Sequence, residues 1–323
     1  MQRKTMYLLA AAALASSLGA QAQTAWPSQP VKWVVPYAPG GTTDLIARTL
    51  TVKMGKDLGQ PVVVDNKPGA ASIIGATFIA RSNPDGYTVG TADSGTLAFN
   101  PAMYASLSYN ADKDFSLIGG LGKMPLVLAV HPAFPAKNLQ EFLALARKTP
   151  GSISSASSGP GSPLHVALEM FKQRTGTDIL HVAYKGSAPG LQDLMAGQVN
   201  SMFVDLPPSL SMIKGGKLRV LAVATPKRLA ILPDVPTMAE AGLPGFEAYA
   251  WQGFVGPAKL PAAVVARLNK DLVAVLNDPD THTKLEEMGI QPMPMDPQEF
   301  GNFVRSEQKL WAGVIKAAKI QLD

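Results

Sequence analysis

Two short loops carry residue types that can hold an anion without a formal positive charge. The first is Tyr37-Ala38-Pro39-Gly40-Gly41-Thr42-Thr43, which follows an apolar run ending at Pro36 and precedes a helical stretch starting at Asp44. Gly40 and Gly41 let the main chain approach a ligand closely, and Thr42 and Thr43 add hydroxyl donors. The helix that follows aims free N–H groups and the positive end of its dipole into the loop. The same residues also suit an ordinary turn, with Asp44 or Thr43 capping the helix, and the loop alone supports both readings. The second loop is Ser157-Ser158-Gly159-Pro160-Gly161-Ser162-Pro163-Leu164-His165. Here Pro163 fits a first helical turn and Ser162 its N-cap. The binding reading adds Ser158, Gly161 and Ser162 as main-chain and hydroxyl donors to the same ligand. One device used twice favours binding, because ligands of open α/β sheets sit beyond the carboxyl ends of strands.

Further candidates flank these loops. His165 lies one turn inside a helix and is read mainly as a partly buried structural histidine, with a ligand donor as the other possibility. Tyr184 and Lys185 follow a strand, and Lys185 can attract an anion as a point charge or serve as a solvated surface lysine. Asp205 ends the apolar run Met202-Phe203-Val204, where a carboxylate can receive a ligand's amino or hydroxyl group or cap the next helix. A side pocket near Tyr37, Ser94, Thr96 and Asp205 is the expected place where one ligand is chosen over another.

Much chemistry is excluded by what the chain lacks. It contains no cysteine, which removes disulfides, thiol nucleophiles and Cys-based metal sites. No Gly-x-Ser-x-Gly, P-loop, Gly-x-Gly-x-x-Gly or His-Glu-x-x-His pattern occurs. The four histidines, His131, His165, His181 and His282, have no metal-ligand spacing. No metal, cofactor or enzyme activity is therefore expected. The 29 basic and 24 acidic residues are dispersed, which argues against nucleic acid as a partner.

The elements that must position these loops alternate. Strands are expected at Val31–Val35, Pro61–Asp65 and Tyr87–Ala92, with helices at Asp44–Lys56 and Ala71–Arg81, a βαβαβ beginning. A second set follows, with strands at Leu126–Val130, Ile153–Ser157, Ile179–Ala183, Val199–Asp205 and Leu218–Ala224. Its helices are Leu139–Arg147, Ser162–Gln173 and a stretch near Pro189–Ala196. Amphipathic helices Ala262–Leu276 and Pro297–Ile320 are expected to return to the first half. The pattern reads as α/β layers around mainly parallel sheets. At 323 residues with 46% hydrophobic side chains, the chain is long enough for two domains. The expected division is residues 23–124 plus 250–323 for domain 1 and 125–249 for domain 2, joined by short crossing strands that suit hinge closure.

Residues 1–22 read as a signal peptide. Arg3 and Lys4 precede the apolar run Met6–Leu18, and Ala20-Gln21-Ala22 fits a small-x-small cleavage site. Removal after Ala22 leaves 27 basic and 24 acidic residues, a net of +3. No later stretch is apolar enough to span a bilayer, so a periplasmic, exported protein without stable membrane insertion is expected, with a monomer as the default.

Five stretches in order resemble the Bug (TctC-like) periplasmic receptors of tripartite tricarboxylate transporters. They are Tyr37–Asp44, Asn66-Lys67-Pro68-Gly69-Ala70, Ser157–Ser162 with His165, Tyr184-Lys185-Gly186-Ser187-Ala188-Pro189, and Leu232-Pro233-Asp234-Val235-Pro236-Thr237 with Glu240-Ala241-Gly242. The resemblance covers essentially the whole mature chain. It implies a type II periplasmic-binding-protein fold, two α/β domains with a ligand cleft between them. Carried over by position, Gly40, Gly41 and Thr42 serve one side of a carboxylate clamp, and Ser158, Gly161 and Ser162 the other. Asp205 falls where an aspartate is common in the family. Tyr37-Ala38, Thr42, the Ala70-Ala71-Ser72 segment and Ala92-Asp93-Ser94-Gly95-Thr96 depart from the usual pattern and bear on which carboxylate is bound. The expected function is delivery of a small organic carboxylate to membrane transporter subunits by domain closure. The alternative is the same clamp used as a sensor for a two-component kinase. The least favoured reading is an exported hydrolase using Ser162 with His165.

Overall fold

The computed structural model describes residues 26–317 and 320–322, and the expected signal peptide, residues 1–22, lies outside the described residues. The first strand, β1 (Val31–Val35), is buried at every residue except Lys32, the pattern of a strand covered on both faces. It pairs in parallel with β2 (Val62–Asn66) and β3 (Thr88–Asp93). The crossover helices are α1 (Thr42–Leu58) and α2 (Ile73–Ala80). This is the expected βαβαβ unit. Between Gly69 and α2 the chain takes an unexpected course. Ala70, Ala71 and Ser72 all have positive φ, at 45°, 48° and 73°, a region that costs a residue with a Cβ roughly 1–2 kcal/mol.

After β3 the chain does not enter a loop. Gly95–Phe99 forms a π-helical turn that runs into α3 (Asn100–Met103), and every residue from Thr91 to Asn100 is buried. Beyond it lies the 16-residue strand β4 (Phe115–Val130). A second set of elements follows: α4 (Leu139–Lys148), β5 (Ser154–Ser157), α5 (Pro163–Thr175), β6 (Leu180–Ala183), α6 (Ser187–Met195), β7 (Ser201–Asp205), α7 (Leu206–Lys214) and β8 (Arg219–Val223). The chain then returns through β9 (Tyr249–Pro257) to α8 (Ala262–Asn277), α9 (Pro279–Glu287), β10 (Gln291–Pro292) and α10 (Pro297–Ala317).

The strands join in the order β2-β1-β3-β9-β4-β7-β5-β6, with β8 and β10 also on β4. The first part of β4 pairs with β9, and Leu126–Val130 pairs with β7 and β8. Among the described residues, four strand pairings are parallel and five antiparallel. The sheet is therefore mixed, not mainly parallel as the alternation suggested. The cause is that β4 and β9 run across the middle in opposite directions and impose antiparallel pairing on their neighbours. Within β4, Met124 and Pro125 pair with Ala250 and Tyr249 of β9. Three main-chain bonds extend the junction: Leu126 N to Ala248 O at 3.1 Å, Ala224 N to Leu126 O at 2.9 Å and Ala248 N to Ala224 O at 3.0 Å.

Of the C-terminal helices, α10 packs on β4, the π-helical turn and α3, and α8 packs on β4 and α1. Two features fix α10. Gly253 has no Cβ, and one placed there would lie 1.9 Å from the Phe300 ring. The buried Glu307 carboxylate receives three donors: the Trp251 and Trp311 indoles at 2.7 and 2.9 Å and the Tyr249 hydroxyl at 2.8 Å. Each would cost free energy if buried unpaired. Apolar packing continues from Trp33 and Ile46 beneath α1 through β4 to Phe142, Phe171 and Phe203.

Candidate functional site

The first loop is held by Asp44. Its Oδ2 accepts from Gly40 N at 3.0 Å and Arg48 Nε at 2.9 Å, and its Oδ1 accepts from Asn66 Nδ2 at 3.0 Å. The same Asn66 amide donates to Tyr37 O at 3.0 Å, so the end of β2 braces the loop after β1. Burial alone would raise the Asp44 pKa, but Arg48, Gly40 N and Asn66 outweigh it and hold the carboxyl below its ordinary value. The N-cap position of α1 is Gly41, with no side-chain cap. Neither Thr43 nor Asp44 is the cap, and the first N–H groups of α1 lack a side-chain acceptor.

In the second loop, Ser162 is the N-cap of α5 and its Oγ accepts from His165 N at 3.3 Å. Gly161 N donates to His165 Nδ1 at 3.0 Å. His165 stacks on His181 with ring centres 4.0 Å apart, and His181 Nε2 lies 2.6 Å from Ser157 Oγ. Burial first, with Lys172 adding to it, lowers the His165 pKa to about 4. Burial, His165 and Lys172 lower His181 to about 4. At neutral pH both rings are uncharged and brace the loop from beneath.

The loops meet over a small cavity of about 30 Å³, room for roughly two water-sized groups. From the first loop and α1 come Tyr37, Gly41, Thr42 and Thr43, and from the ends of β3 and β7 come Asp93 and Asp205. Ser158, Pro163 and Leu164 come from the second loop and α5, Ser187 from the start of α6, and Met124, Ala250 and Gln252 from the crossing strands. Four helices thus begin at this cavity: α1, α5, α6 and, through its N-cap Asp205, α7. Of these, α1, α6 and α7 carry no side-chain cap hydrogen bond. Among the described residues, no lysine or arginine lines the cavity.

The two halves touch across it. Thr42 Oγ1 donates to Asp205 Oδ2, and Ala38 N donates to Lys185 O at 3.3 Å. A Cβ on Gly41 would lie 3.0 Å from Ser187 Oγ. Two buried carboxyls face the interior. Asp93 Oδ2 accepts from the Tyr37 hydroxyl at 2.6 Å, and Oδ1 accepts from Thr96 N at 2.9 Å and Thr96 Oγ1 at 2.8 Å. Burial raises its pKa despite these bonds. Burial also raises Asp205, against the Thr42 bond and with repulsion from Asp93. Asp205 Oδ1 and Gln252 Oε1 are buried and have no hydrogen-bond partner among the described residues.

Six of the residues singled out from sequence line this cavity: Tyr37, Gly41, Thr42, Thr43, Ser158 and Asp205. Gly40 is exposed at a φ of 83°. Ser94 and Thr96 stand one layer back, Thr96 holding Asp93. Gly161 and Ser162 of the second loop and His165 of α5 do not line the cavity. Tyr184 and Lys185 line an adjoining cavity of about 150 Å³ that shares Tyr37 and Ser158 with the first. Ala70, Ala71 and Ser72 form its other wall.

Sequence reasoning missed Asp93, Ser187 and Gln252 as lining residues. Asp93 carried a usable signal, since it ends β3 as Asp205 ends β7. Ser187 follows Tyr184-Lys185-Gly186. Gln252 had none, because β9 was not recognised as a strand. A larger cavity of about 580 Å³ beside the crossing strands is lined by Leu229, Ile231 and Ile290 among others, and none of the residues singled out from sequence lines it.

Comparison with known proteins follows the same outline. A profile of the tripartite tricarboxylate transporter family receptor matches residues 46–320. The R. palustris protein Rpa4515, solved with adipate, is 35% identical, with a TM-score of 0.89 over 92% of this chain and 99% of that one. The periplasmic binding protein BugD is 34% identical, with a TM-score of 0.88 over 92% and 99%. MatC (Rpa3494) from Rhodopseudomonas palustris, solved with bound malate, is 34% identical, with a TM-score of 0.86 over 90% and 100%.

Proposed function

The chain belongs to the tripartite tricarboxylate transporter receptor family, is a solute receptor of the Bug type with the two-domain periplasmic-binding fold, and on that premise we propose how it works. It captures a small organic carboxylate in the cavity between the two loops and delivers it to the membrane subunits of a tripartite transporter. The observation that carries this reading is the convergence of four helix starts on one buried cavity that no lysine or arginine among the described residues lines. N–H groups and dipole ends at helix starts bind anions. Charge-assisted hydrogen bonds to a carboxylate gain strength where water is excluded.

The clamp is formed by Gly41 and Thr42 from one side and by Ser158 and Ser187 from the other. Gly40, Gly161, Ser162 and His165 hold the loops in shape. Tyr184 and Lys185 line the adjoining space, where Lys185 offers a positive charge to a second anionic group. Relatives solved with adipate and malate support a dicarboxylate. The domains divide at residues 124/125 and 249/250, where β4 and β9 cross, so that 23–124 with 250–323 closes against 125–249. Closure is driven by the better binding of the ligand to the closed form. We take the chain to act as a monomer. It is exported to the periplasm with its signal peptide removed after Ala22, a reading supported by the three-part pattern of residues 1–22.

No catalysis is assigned. Ser162 Oγ caps α5 and His165 Nδ1 accepts from Gly161 N, so the two side chains do not form a nucleophile–base pair. The test is a thermal-shift screen of the mature protein, stripped of co-purified solute, against mono- and dicarboxylates, amino acids and neutral sugars. A ligand at 100 times its Kd stabilises by about 2.7 kcal/mol, a rise of roughly 5 °C or more at this size. Shifts confined to carboxylates are expected. A response to sugars alone overturns the reading.

A further inference from the structure

We propose that the bound carboxylate carries a hydrogen-bond donor, a hydroxyl or an ammonium, close to its carboxyl group, and that Asp205 Oδ1 receives it with Gln252 Oε1 beside it. This rests on the receptor reading above and narrows its substrate class.

The cavity has two poles of opposite demand. One pole offers donors: the starts of α1 and α6 and the hydroxyls of Ser158 and Ser187. The other offers only acceptors. Asp205 and Gln252 are 5% and 3% exposed, and each has one fixed end. Thr42 Oγ1 donates to Asp205 Oδ2, and Gln252 Nε2 donates to Thr43 Oγ1 at 2.9 Å. The opposite atoms, Asp205 Oδ1 and Gln252 Oε1, are buried without a partner among the described residues. Buried polar atoms are nearly always paired, and each exception calls for an explanation.

A ligand carboxylate does not answer this demand. It brings more negative charge toward Asp205, which already feels Asp93, and no lysine or arginine among the described residues lines the cavity to offset it. A hydroxyl or ammonium does. At about 30 Å³ the inner space admits only a few atoms, so donor and carboxyl sit on the same or adjacent carbons, as in 2-hydroxy and 2-amino acids. The remainder of the ligand passes Tyr37 and Ser158 into the adjoining space of about 150 Å³.

The experiment is titration calorimetry at neutral pH with acids matched in length: succinate, malate and aspartate. Malate or aspartate is expected to bind at least about tenfold more tightly than succinate, the range of one hydrogen bond to a charged group. In Asp205→Asn, which keeps the shape and an oxygen for Thr42, that ratio is expected to fall toward one. A general weakening of closure by the substitution lowers all three affinities together, so the ratio is the readout. Equal binding of the three acids by the unaltered protein overturns the inference and leaves the carboxylate receptor standing. A ratio that survives Asp205→Asn also overturns it. Binding of none of the acids, together with a response to sugars in the screen, overturns the receptor reading itself.

Discussion

A side chain at Gly41 separates a ligand clamp from an ordinary turn. The backbone there is extended, at φ −81° and ψ 171°, so any residue fits without strain. The obstacle is the other half of the molecule, because an added Cβ lies 3.0 Å from Ser187 Oγ and 4.0 Å from Ser187 N. Alanine displaces the Ser187 hydroxyl, whose shift to an off-minimum torsion costs about 0.5–1.5 kcal/mol. Valine adds methyl groups in the same gap, an overpacking cost of about 1–3 kcal/mol. Both penalties fall on the closed form alone. Calorimetry should therefore show Kd weakened roughly 2- to 10-fold in Gly41→Ala and about 5- to 150-fold in Gly41→Val. The melting temperature of the free protein should fall only a few degrees, since glycine is the better N-cap by well under about 2 kcal/mol. Ser187→Ala removes the atom in the way. In a double-mutant cycle, Gly41→Ala with Ser187→Ala should lose less affinity than the two singles added, by at least about 0.5 kcal/mol. Undiminished binding by Gly41→Val, or strict additivity in the cycle, would refute the closing geometry.

Three further outcomes follow from the structure. Both His165 and His181 are held near a pKa of about 4, below the ordinary value of about 6.5. The unfolded chain therefore binds more protons between pH 6.5 and 4, and stability falls as pH drops through that window, by about 3 kcal/mol for His165. Asp93 and Asp205, raised by burial, act in the opposite sense, so the informative comparison is the melting temperature at pH 7 and pH 4.5 in the native protein and in His181→Gln. An unchanged pH slope in the variant would sink this account. Glu307→Leu leaves two indole N–H groups and one phenol buried without an acceptor, and urea unfolding should show a loss of about 3 kcal/mol or more. Ala70→Gly relieves a residue at φ 45° that is exposed and packs little. Set against the entropy of glycine, unfolding should show a gain on the order of 0.5 kcal/mol, and a clear loss would mean that the left-handed run is not strained.

How far the site could be read in advance depended on the range of the interactions that build it. The βαβαβ start, the loop at Tyr37–Thr43 and the capped start of α5 were legible because local rules write them: apolar periodicity, glycine before a helix, and Ser-Pro at a helix start. The π-helical turn at Gly95–Phe99 was not, since its register is set by burial against α10 and by Asp93 receiving Thr96. Nor was β9, whose glycines at 253 and 256 weaken a strand pattern and make sense only beside Phe300 and Leu260. Gln252 reaches the cavity only because β9 crosses from one half to the other. Asp93 and Asp205 looked alike in sequence, each closing a strand, yet their surroundings part them. Asp93 is surrounded by donors from Tyr37 and Thr96, whereas Asp205 has Thr42 on one oxygen and none on the other. Thr96 is three positions from Asp93, but Tyr37 is 56 positions from Asp93 and Thr42 is 163 from Asp205, and no local pattern can bring those pairs together. Strand-end carboxylates mark where a cleft lies, and the donors each one already holds decide what it can still bind.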